Sequence, residues 1–231
     1  MLPCYNPQEG WDEIVIRAYK DSSGRLPDIK TRLIIINDGS NPALVNTLPN
    51  TIITAAPDSI WISYPDNRGK GAALREGMKA SNADISIYTD IDFPYTNDSL
   101  LQIWEAINTG NADIAAGIKS TDYYRAVPWG RRLISKLLRR MTRLFLGLRI
   151  DDTQCGLKGM NAKGRNLFLQ TQIDRYLFDL EFIYLASHRH DIQLQPVVIE
   201  LKPDVVFSSM RLKVLWSEAG NFCKILIKRI D

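Results

Sequence analysis

The chain has few of the residues that mark disulfide-stabilised, zinc-binding or membrane-spanning proteins. Its 231 residues include three cysteines and two histidines, without metal-ligand spacing, so disulfides and a zinc site are not expected and the reducing cytosol is the simplest setting. No apolar run approaches the length of about 18 residues that a membrane-spanning helix needs, and the N-terminus does not resemble a secretory signal. Repeats, low-complexity tracts and Pro/Gly/Ser-rich linkers are missing as well. We therefore expect a single globular domain over residues 1–231.

Predicted strands and helices alternate along the chain, and a composition of 45% hydrophobic and 24% charged residues excludes a disordered polypeptide. Strands are predicted at 32–37, 60–64, 85–89, 113–118, 157–160 and 194–201. Helices are predicted at 71–80, 97–109 with Asn97-Asp98 as its cap, 131–146, 162–170, 178–188 and 212–228. This order is typical of an α/β fold with a mostly parallel sheet flanked by helices, in which ligands bind at the carboxyl ends of the strands.

Two carboxylates one residue apart, Asp90 and Asp92, follow the predicted strand at 85–89. Carboxylate oxygens suit Mg²⁺ or Mn²⁺, and substrate phosphates usually complete the coordination of such ions. The pair therefore favours a metal-assisted nucleotide site. In the alternative interpretation, Asp92 caps the turn before Pro94 and Asp90 only ends the strand.

Three further clusters lie where such a sheet would bind a nucleotide. The turn Pro3-Cys4-Tyr5-Asn6-Pro7 carries an aromatic side chain, and Asn37-Asp38-Gly39-Ser40 ends a strand with a carboxylate that can accept the ring N–H of uracil or guanine. An ordinary turn would also account for the second cluster. The third, Asn67-Arg68-Gly69-Lys70-Gly71-Ala72-Ala73, brings glycines and backbone N–H groups to a helix start, where a diphosphate can bind. Its spacing is neither that of a dinucleotide fingerprint nor that of a Walker loop.

Together with two later blocks, these clusters resemble the family 2 glycosyltransferases with the GT-A fold, a single Rossmann-like domain, and among them the polyprenyl-phosphate glycosyltransferases. The later blocks are Asp152-Thr153-Gln154-Cys155-Gly156-Leu157-Lys158 and Phe178-Asp179-Leu180-Glu181. The ordered set covers nearly the whole chain, and the later blocks look most like the dolichyl-phosphate β-glucosyltransferase branch. The resemblance implies a nucleotide-sugar donor, UDP-glucose in preference to GDP-mannose, and Mg²⁺ or Mn²⁺ as cofactor.

The resemblance also implies a role for each matched residue. At the donor end, Pro3, Tyr5 and Asp38 would hold the nucleotide base, Asn6 would belong to the same site, and Lys70 would lie near the base or the phosphates. Asp90 and Asp92 would hold the metal, and Gln154 would line the sugar pocket. At the acceptor end, Asp179 and Glu181 would face the acceptor, with Asp179 as the candidate catalytic base, and Arg125, Arg131 and Ser135 would contact the acceptor phosphate. A solvated helix face is the alternative for Asp179 and Glu181.

The chemistry expected of such a site depends on the acceptor. Displacement at the anomeric carbon builds negative charge on the departing diphosphate, which a divalent cation stabilises, and attack from the opposite face inverts the configuration. A lipid phosphate has a second pKa of about 6 and is largely a dianion at neutral pH, so it scarcely needs a base. A sugar hydroxyl would need a base, which contributes about 10²- to 10⁴-fold to the rate.

The segment 123–150 contains eight basic residues and no acidic one, although the net charge of the chain is only +3. Its apolar residues recur at helical spacing opposite the arginines, a pattern typical of a helix on an anionic membrane surface. Packing of that apolar face on the protein core is the alternative. Nucleic-acid binding is not expected, because no stacking aromatics are interleaved with the arginines.

We therefore expect an inverting, metal-dependent hexosyltransferase, peripheral on the cytosolic face of a membrane, that moves glucose from a nucleotide to a polyprenyl phosphate. The same chemistry on a saccharide acceptor, as in cell-surface polysaccharide synthesis, is the first alternative. A catalytically silent nucleotide-sugar-binding module is the second, because only Met1 and Leu2 precede Pro3 where relatives carry a full strand. A nucleotidyltransferase is disfavoured, since its glycine-rich N-terminal loop is missing.

Overall fold

The computed structural model describes residues 1–45, 47–119, 146, 148, 150 and 152–203. The predicted helices at 131–146 and 212–228 fall outside these residues, apart from Leu146. Most of the basic segment 123–150 also lies outside them, as do all three residues expected at the acceptor phosphate, Arg125, Arg131 and Ser135.

Strands and helices alternate through the described residues as the sequence predicts. The strands are β1 (Leu2–Cys4), β2 (Ile34–Asp38), β3 (Ile60–Tyr64), β4 (Ile85–Tyr88), β5 (Ile114–Lys119), β6 (Lys158–Asn161) and β7 (Leu194–Ile199). The helices are α1 (Trp11–Gly24), α2 (Asn50–Ala55), α3 (Lys70–Ala80), α4 (Asn97–Asn108), α5 (Ala162–Phe168) and α6 (Phe178–Ser187). The predicted α/β class is therefore confirmed.

The strands form two hydrogen-bonded groups that meet at Met1. One group is parallel with the order β1-β2-β3, and the other has the order β4-β6-β5-β7, in which β6 runs antiparallel to both neighbours and β5 pairs in parallel with β7. The Met1 nitrogen donates to the Ile87 carbonyl (2.7 Å), and the Thr89 N–H donates to the Met1 carbonyl (3.2 Å). This pattern sets β1 parallel to β4, so the carboxyl ends of β1, β2 and β4 lie along one edge.

An aromatic cluster holds α6 against β4. The rings of Tyr88, Phe168, Phe178 and Phe182 are buried and meet at centroid distances of 4.9 to 6.3 Å in tilted or edge-on arrangements. Such geometries favour aromatic pairs beyond simple burial of area. Because Phe178 is the first residue of α6, the cluster brings the start of that helix, with Asp179, to the end of β4.

Three elements were not predicted from the sequence, β1, α1 and α2, and the predicted cap of α4 is displaced by one residue. α1 was missed because only Trp11, Val15 and Ala18 are buried along its 14 residues, although these three recur at helical spacing. The cap of α4 is Thr96 and not Asn97-Asp98: the Thr96 hydroxyl accepts the Ser99 N–H (3.3 Å). The extended backbone of Thr96 (ψ 153°) is the geometry of a cap residue, whereas Asn97 is already helical.

The opposite, amino-terminal edge of the sheet carries a largely apolar groove of about 400 Å³. It opens between the starts of β2 and β4, with α1 and α4 as its walls. Its lining also reaches Thr89 and Phe93, just beyond the end of β4. Within the ranges that the structure describes, no helix is both long and apolar enough to cross a membrane.

Candidate active site

Side chains tie the carboxyl ends of β1 and β2 together. The Asn6 N–H donates to Ser40 Oγ (2.9 Å), and the Asn41 N–H donates to Asn6 Oδ1 (2.8 Å). Asn6 adopts a positive φ of 45°, which asparagine tolerates better than most residues. Beside this turn, Pro3 is half-buried in β1 and the Tyr5 side chain is exposed, so its ring face is free to stack on a planar ligand.

The Asp38 carboxylate holds the loop before α3. It accepts the N–H groups of Arg68 (2.8 Å) and Gly69 (2.9 Å) and the side-chain amide of Asn67 (2.9 Å). Asp38 is buried, and three of its roughly four acceptor positions are used by this loop. Base recognition by Asp38 stays a prediction, but its observed contacts are with the protein.

The loop 67–73 does not offer its backbone in the way the sequence suggested. The Arg68 and Gly69 N–H groups are held by Asp38, and those of Gly71 (2.7 Å) and Ala72 (3.3 Å) donate to the Asp174 carbonyl. The expectation that these four groups cradle a diphosphate is wrong, because each already donates within the protein. The Lys70 side chain is the cation that this loop brings to the site.

Lys70 bridges the start of α3 and the end of β4. Its Nζ lies 2.5 Å from Asp90 Oδ1, and about a third of each side chain is exposed (31% and 39%). Burial alone would lower the pKa of Lys70, but the charges of Asp90 and Asp179 outweigh it and raise this pKa. The ammonium therefore stays charged beside the two carboxylates.

Asp90 and Asp92 form the acidic end of β4. Asp92 is exposed, and its pKa is raised by partial desolvation and by the nearby Asp90 charge. The described residues contain no group of three or more His, Cys, Asp or Glu side chains that could hold a metal. Two carboxylates at an open edge fit Mg²⁺ or Mn²⁺, because these ions take one or two protein carboxylates and complete their shell with substrate phosphates and water.

The turn 153–157 lies directly against Asp90. A Cβ at Gly156 would overlap Asp90 Oδ2 and stand 3.2 Å from Tyr95 Oη, so only glycine allows this approach. The Gly156 N–H donates to Tyr95 Oη (2.9 Å), which fixes the turn. Gln154 is exposed on the same turn, in agreement with a place near a bound sugar, although that role stays a prediction.

Asp179 is buried in an ion pair at the start of α6. Tyr88 Oη (2.5 Å) and Lys158 Nζ (2.7 Å) both donate to Asp179 Oδ1, and Lys158 also donates to the Cys155 carbonyl (2.6 Å). Burial and the Asp179 charge raise the pKa of Tyr88 well above 10, so its hydroxyl keeps the proton that it donates. The solvated-face alternative is wrong, since Asp179 is 4% and Glu181 1% exposed.

Glu181 binds the backbone of a neighbouring loop and does not face solvent. Its Oε2 accepts the N–H groups of Gln172 (2.8 Å) and Ile173 (2.7 Å). The next residue, Asp174, is the one whose carbonyl receives the start of α3. Glu181 thus stabilises the position of Lys70 indirectly, and its expected contact with the acceptor stays a prediction.

Contacts between neighbouring elements connect five of the predicted residues, Asn6, Asp38, Lys70, Asp90 and Asp179. They run from Asn6 to the end of β2, from Asp38 to the loop before Lys70, from Lys70 to Asp90, and from the turn 153–157 to Asp179. The sequence analysis assigned no role to Tyr88, Tyr95, Gly156 or Lys158. Lys158 could have been noticed from the sequence, because it is a charged residue in a predicted strand and its neighbours are apolar residues or glycine.

Comparison with known proteins agrees with this geometry. The chain is 26% identical over 202 residues to the dolichyl-phosphate beta-glucosyltransferase of Drosophila melanogaster, covering 81% of this chain and 62% of that relative. It is 26% identical over 193 residues to glycosyltransferase AglD of Haloferax volcanii, covering 81% of this chain and 30% of AglD. The chain thus spans less than two thirds of the length of these two relatives.

Solved structures share the fold. Glucosyl-3-phosphoglycerate synthase from Mycobacterium tuberculosis, in complex with Mg²⁺ and uridine diphosphate, superposes with a TM-score of 0.67 at 18% identity, over 99% of this chain and 77% of that one. Mannosyl-3-phosphoglycerate synthase from Rubrobacter xylanophilus gives 0.70 at 13% identity, over 99% and 72%. The expected GT-A fold is confirmed. The sequence model described as "Glycosyl transferase family 2" matches residues 1–166, and the chain therefore belongs to that family.

Proposed function

We propose that this chain is an inverting, metal-dependent hexosyltransferase that moves glucose from UDP-glucose to a polyprenyl phosphate. The observation that carries the proposal is the grouping of Asp90, Asp92 and the Lys70 ammonium at the end of β4. Two comparisons support the finer assignments. The Drosophila relative is named for glucose transfer to dolichyl phosphate, and a structure of the M. tuberculosis synthase contains Mn²⁺ and UDP-glucose.

The donor end of the proposed site consists of Tyr5, Lys70 and the two aspartates. The exposed Tyr5 ring can stack on the uracil, and the Lys70 ammonium can pair with the diphosphate once it leaves Asp90. A divalent cation held by Asp90 and Asp92 would stabilise the charge that develops on the departing diphosphate.

The surroundings of Asp179 favour a phosphate acceptor. Oδ1 of Asp179 already accepts hydrogen bonds from Lys158 and Tyr88, so this oxygen is not free to take the proton of a hydroxyl. A sugar hydroxyl must lose its proton during attack, whereas a phosphate monoester at neutral pH is already ionised. In the proposed reaction, the acceptor binds near Asp179, whose charge Lys158 offsets, and its phosphate oxygen attacks the anomeric carbon opposite the departing diphosphate.

Membrane contact forms part of the proposal and depends on sequence alone. The segment 123–150 carries eight basic residues and no acidic one, and each basic residue near an anionic surface contributes about 1 kcal/mol of binding. We place this segment at the cytosolic face, where it would present Arg125, Arg131 and Ser135 to the lipid phosphate.

A hydroxyl acceptor is the second candidate, because both synthases with the same fold are named for products of phosphoglycerate. The test supplies purified protein with radiolabelled UDP-glucose or GDP-mannose, Mg²⁺ or Mn²⁺, and either dolichyl phosphate, undecaprenyl phosphate or 3-phosphoglycerate. Label from UDP-glucose in the organic phase, dependent on metal, is the expected result.

Two variants sharpen this assay. Asp92→Ala should abolish transfer, while Asp84→Asn, which changes an exposed aspartate just before β4, should leave it unchanged. Label only in a water-soluble product would exclude the lipid acceptor. Donor binding without consumption, with every acceptor supplied, would instead identify a silent binding module.

A further inference from the structure

We propose that Lys158 is a positioning residue for the transfer step: it orients the Asp179 carboxylate, and it fixes that carboxylate to the turn that lies on Asp90. This inference rests on the proposed function, in which Asp179 meets the acceptor and Asp90 the donor. Lys158 would then set the distance between the two ends of the reaction without touching either substrate.

The geometry gives Lys158 two partners from different parts of the chain. Its fully buried Nζ (0% exposed) lies 2.7 Å from Asp179 Oδ1 on α6 and 2.6 Å from the Cys155 carbonyl on the turn 153–157. It also stands 5.8 Å from the centroid of the Tyr88 ring, whose hydroxyl donates to the same Oδ1. An ammonium with short contacts to two oxygens holds both in place.

Both donors reach the same oxygen of Asp179. Within the part of the chain that the structure describes, Oδ2 accepts no hydrogen bond and is not fully enclosed by protein atoms. The carboxylate is therefore anchored by one oxygen while the other keeps its lone pairs and some access to solvent. This is the arrangement expected of a group that contacts an incoming ligand.

Stability alone is a poor explanation of this pair. Taking two charges out of water is costly, and buried ion pairs can often be replaced by apolar residues without loss of stability. Here the pair lies next to a second one, Lys70–Asp90, and the charge on Asp179 acts on Lys70. Two ion pairs concentrated at one strand end indicate a functional arrangement rather than a packing solution.

Removing the ammonium should disturb the acceptor end before it changes donor binding. Without Lys158, Asp179 would lose one of its two hydrogen-bond donors and its link to the turn 153–157. Asp90, Asp92 and Lys70 would keep their own contacts. We expect Lys158→Met to lower kcat at pH 7 by about 100-fold and to change the Kd for UDP with Mn²⁺ by less than about threefold.

The experiment compares Lys158→Met and Tyr88→Phe with the exposed control Lys79→Met, by kcat and KM at pH 7 and by calorimetric titration with UDP and Mn²⁺. A kcat of Lys158→Met equal to that of the wild type would overturn the proposal. Loss of UDP binding in the same variant would overturn it too, since it would show a change at the donor end.

A second readout does not need turnover. Carboxyl ¹³C NMR, with Asp179→Asn to assign the resonance, should show the Asp179 signal displaced in Lys158→Met and unchanged in Lys79→Met, because only the first variant removes a direct partner of the carboxylate. If the wild type transfers no sugar, the proposed function fails, while this comparison still decides whether Lys158 holds Asp179. Should Lys158→Met fail to fold, the double variant Lys158→Met/Asp179→Asn, which removes both charges, replaces it. Its melting temperature and its UDP binding are then measured. Unchanged UDP binding supports the proposal, and lost binding contradicts it.

Discussion

At the scale of single residues, the site depends on close approaches that particular side chains permit. The Asp90 carboxylate lies against the backbone of Gly156, where any side chain would overlap it. Asp90 also accepts the Lys70 ammonium. The absence of a side chain at Gly156 therefore decides where the Asp90 carboxylate can lie. Gly156, 66 positions after Asp90, and Lys70, 20 positions before it, both act on the end of β4.

Gly156→Ala tests this directly. The added methyl group should displace Asp90 and lower metal-dependent transfer by at least about tenfold, because misplacing a reacting group by about 1 Å is costly. Gly24→Ala is the matched control, since a Cβ at Gly24 meets nothing within 4 Å. Transfer rates and calorimetric binding of Mn²⁺ with UDP would be measured for both. Equal activity of the two variants would show that the position of Asp90 is not limiting.

At the scale of elements, polar side chains at strand starts hold the β4-β6-β5-β7 group in register. Asp113, just before β5, accepts the Gln193 N–H (2.9 Å) and the Asn161 amide (2.8 Å). These two residues belong to the start of β7 and the end of β6. Burial would raise the pKa of Asp113, but these hydrogen bonds outweigh it and lower that pKa below its usual value.

This direction gives a pH dependence. A carboxyl whose pKa is lower in the folded chain contributes stability above its unfolded pKa of about 4, and loses it as the pH falls through the folded pKa. Asp113→Asn should therefore lower the free energy of unfolding by about 1–2 kcal/mol at pH 7. The difference from the wild type should shrink below about pH 4. Urea unfolding at several pH values measures it, and a difference that stays constant with pH would contradict the assignment.

Helices and strands with a clear hydrophobic pattern were predicted well, because such patterns are local in sequence. β3 spans the predicted residues, and α3, α4 and β4 differ from prediction by one residue at their ends. α1 was missed because only three of its 14 residues are buried, although these recur at helical spacing. β1 was also unassigned, since three residues show no pattern of their own and become a strand only by pairing with β2.

At the scale of the whole molecule, the proposed site gathers residues from both strand groups. Tyr5 and Asp38 come from the β1-β2-β3 group, whereas Asp90 and Lys158 belong to the other. A ligand that bridges them should stabilise the entire fold, because a ligand that binds only the folded state adds its binding free energy to that of folding.

Saturating UDP with Mn²⁺ should therefore raise the melting temperature. At 100 times the Kd, the added stability is about 2.7 kcal/mol, which corresponds to about 5–10 °C for a chain of this size. Thermal denaturation with UDP alone, Mn²⁺ alone and both would separate the contributions. The shift with both should largely disappear in Asp92→Ala, and an equal shift in that variant would contradict a metal site at Asp92.

The sequence by itself determined the class of fold and the strand ends at which the polar clusters stand, because alternation of elements and the placement of Asp90 and Asp92 after an apolar run are local patterns. Its ordered motifs also determined the family. Only the tertiary structure decided what several of these groups do: Asp38 holds the loop before α3, and Asp179 is paired with Lys158 and Tyr88. The physical reason is distance along the chain. Tyr88 and Asp179 are 91 positions apart, so no local pattern records their contact, and only the packing of α6 on β4 creates it.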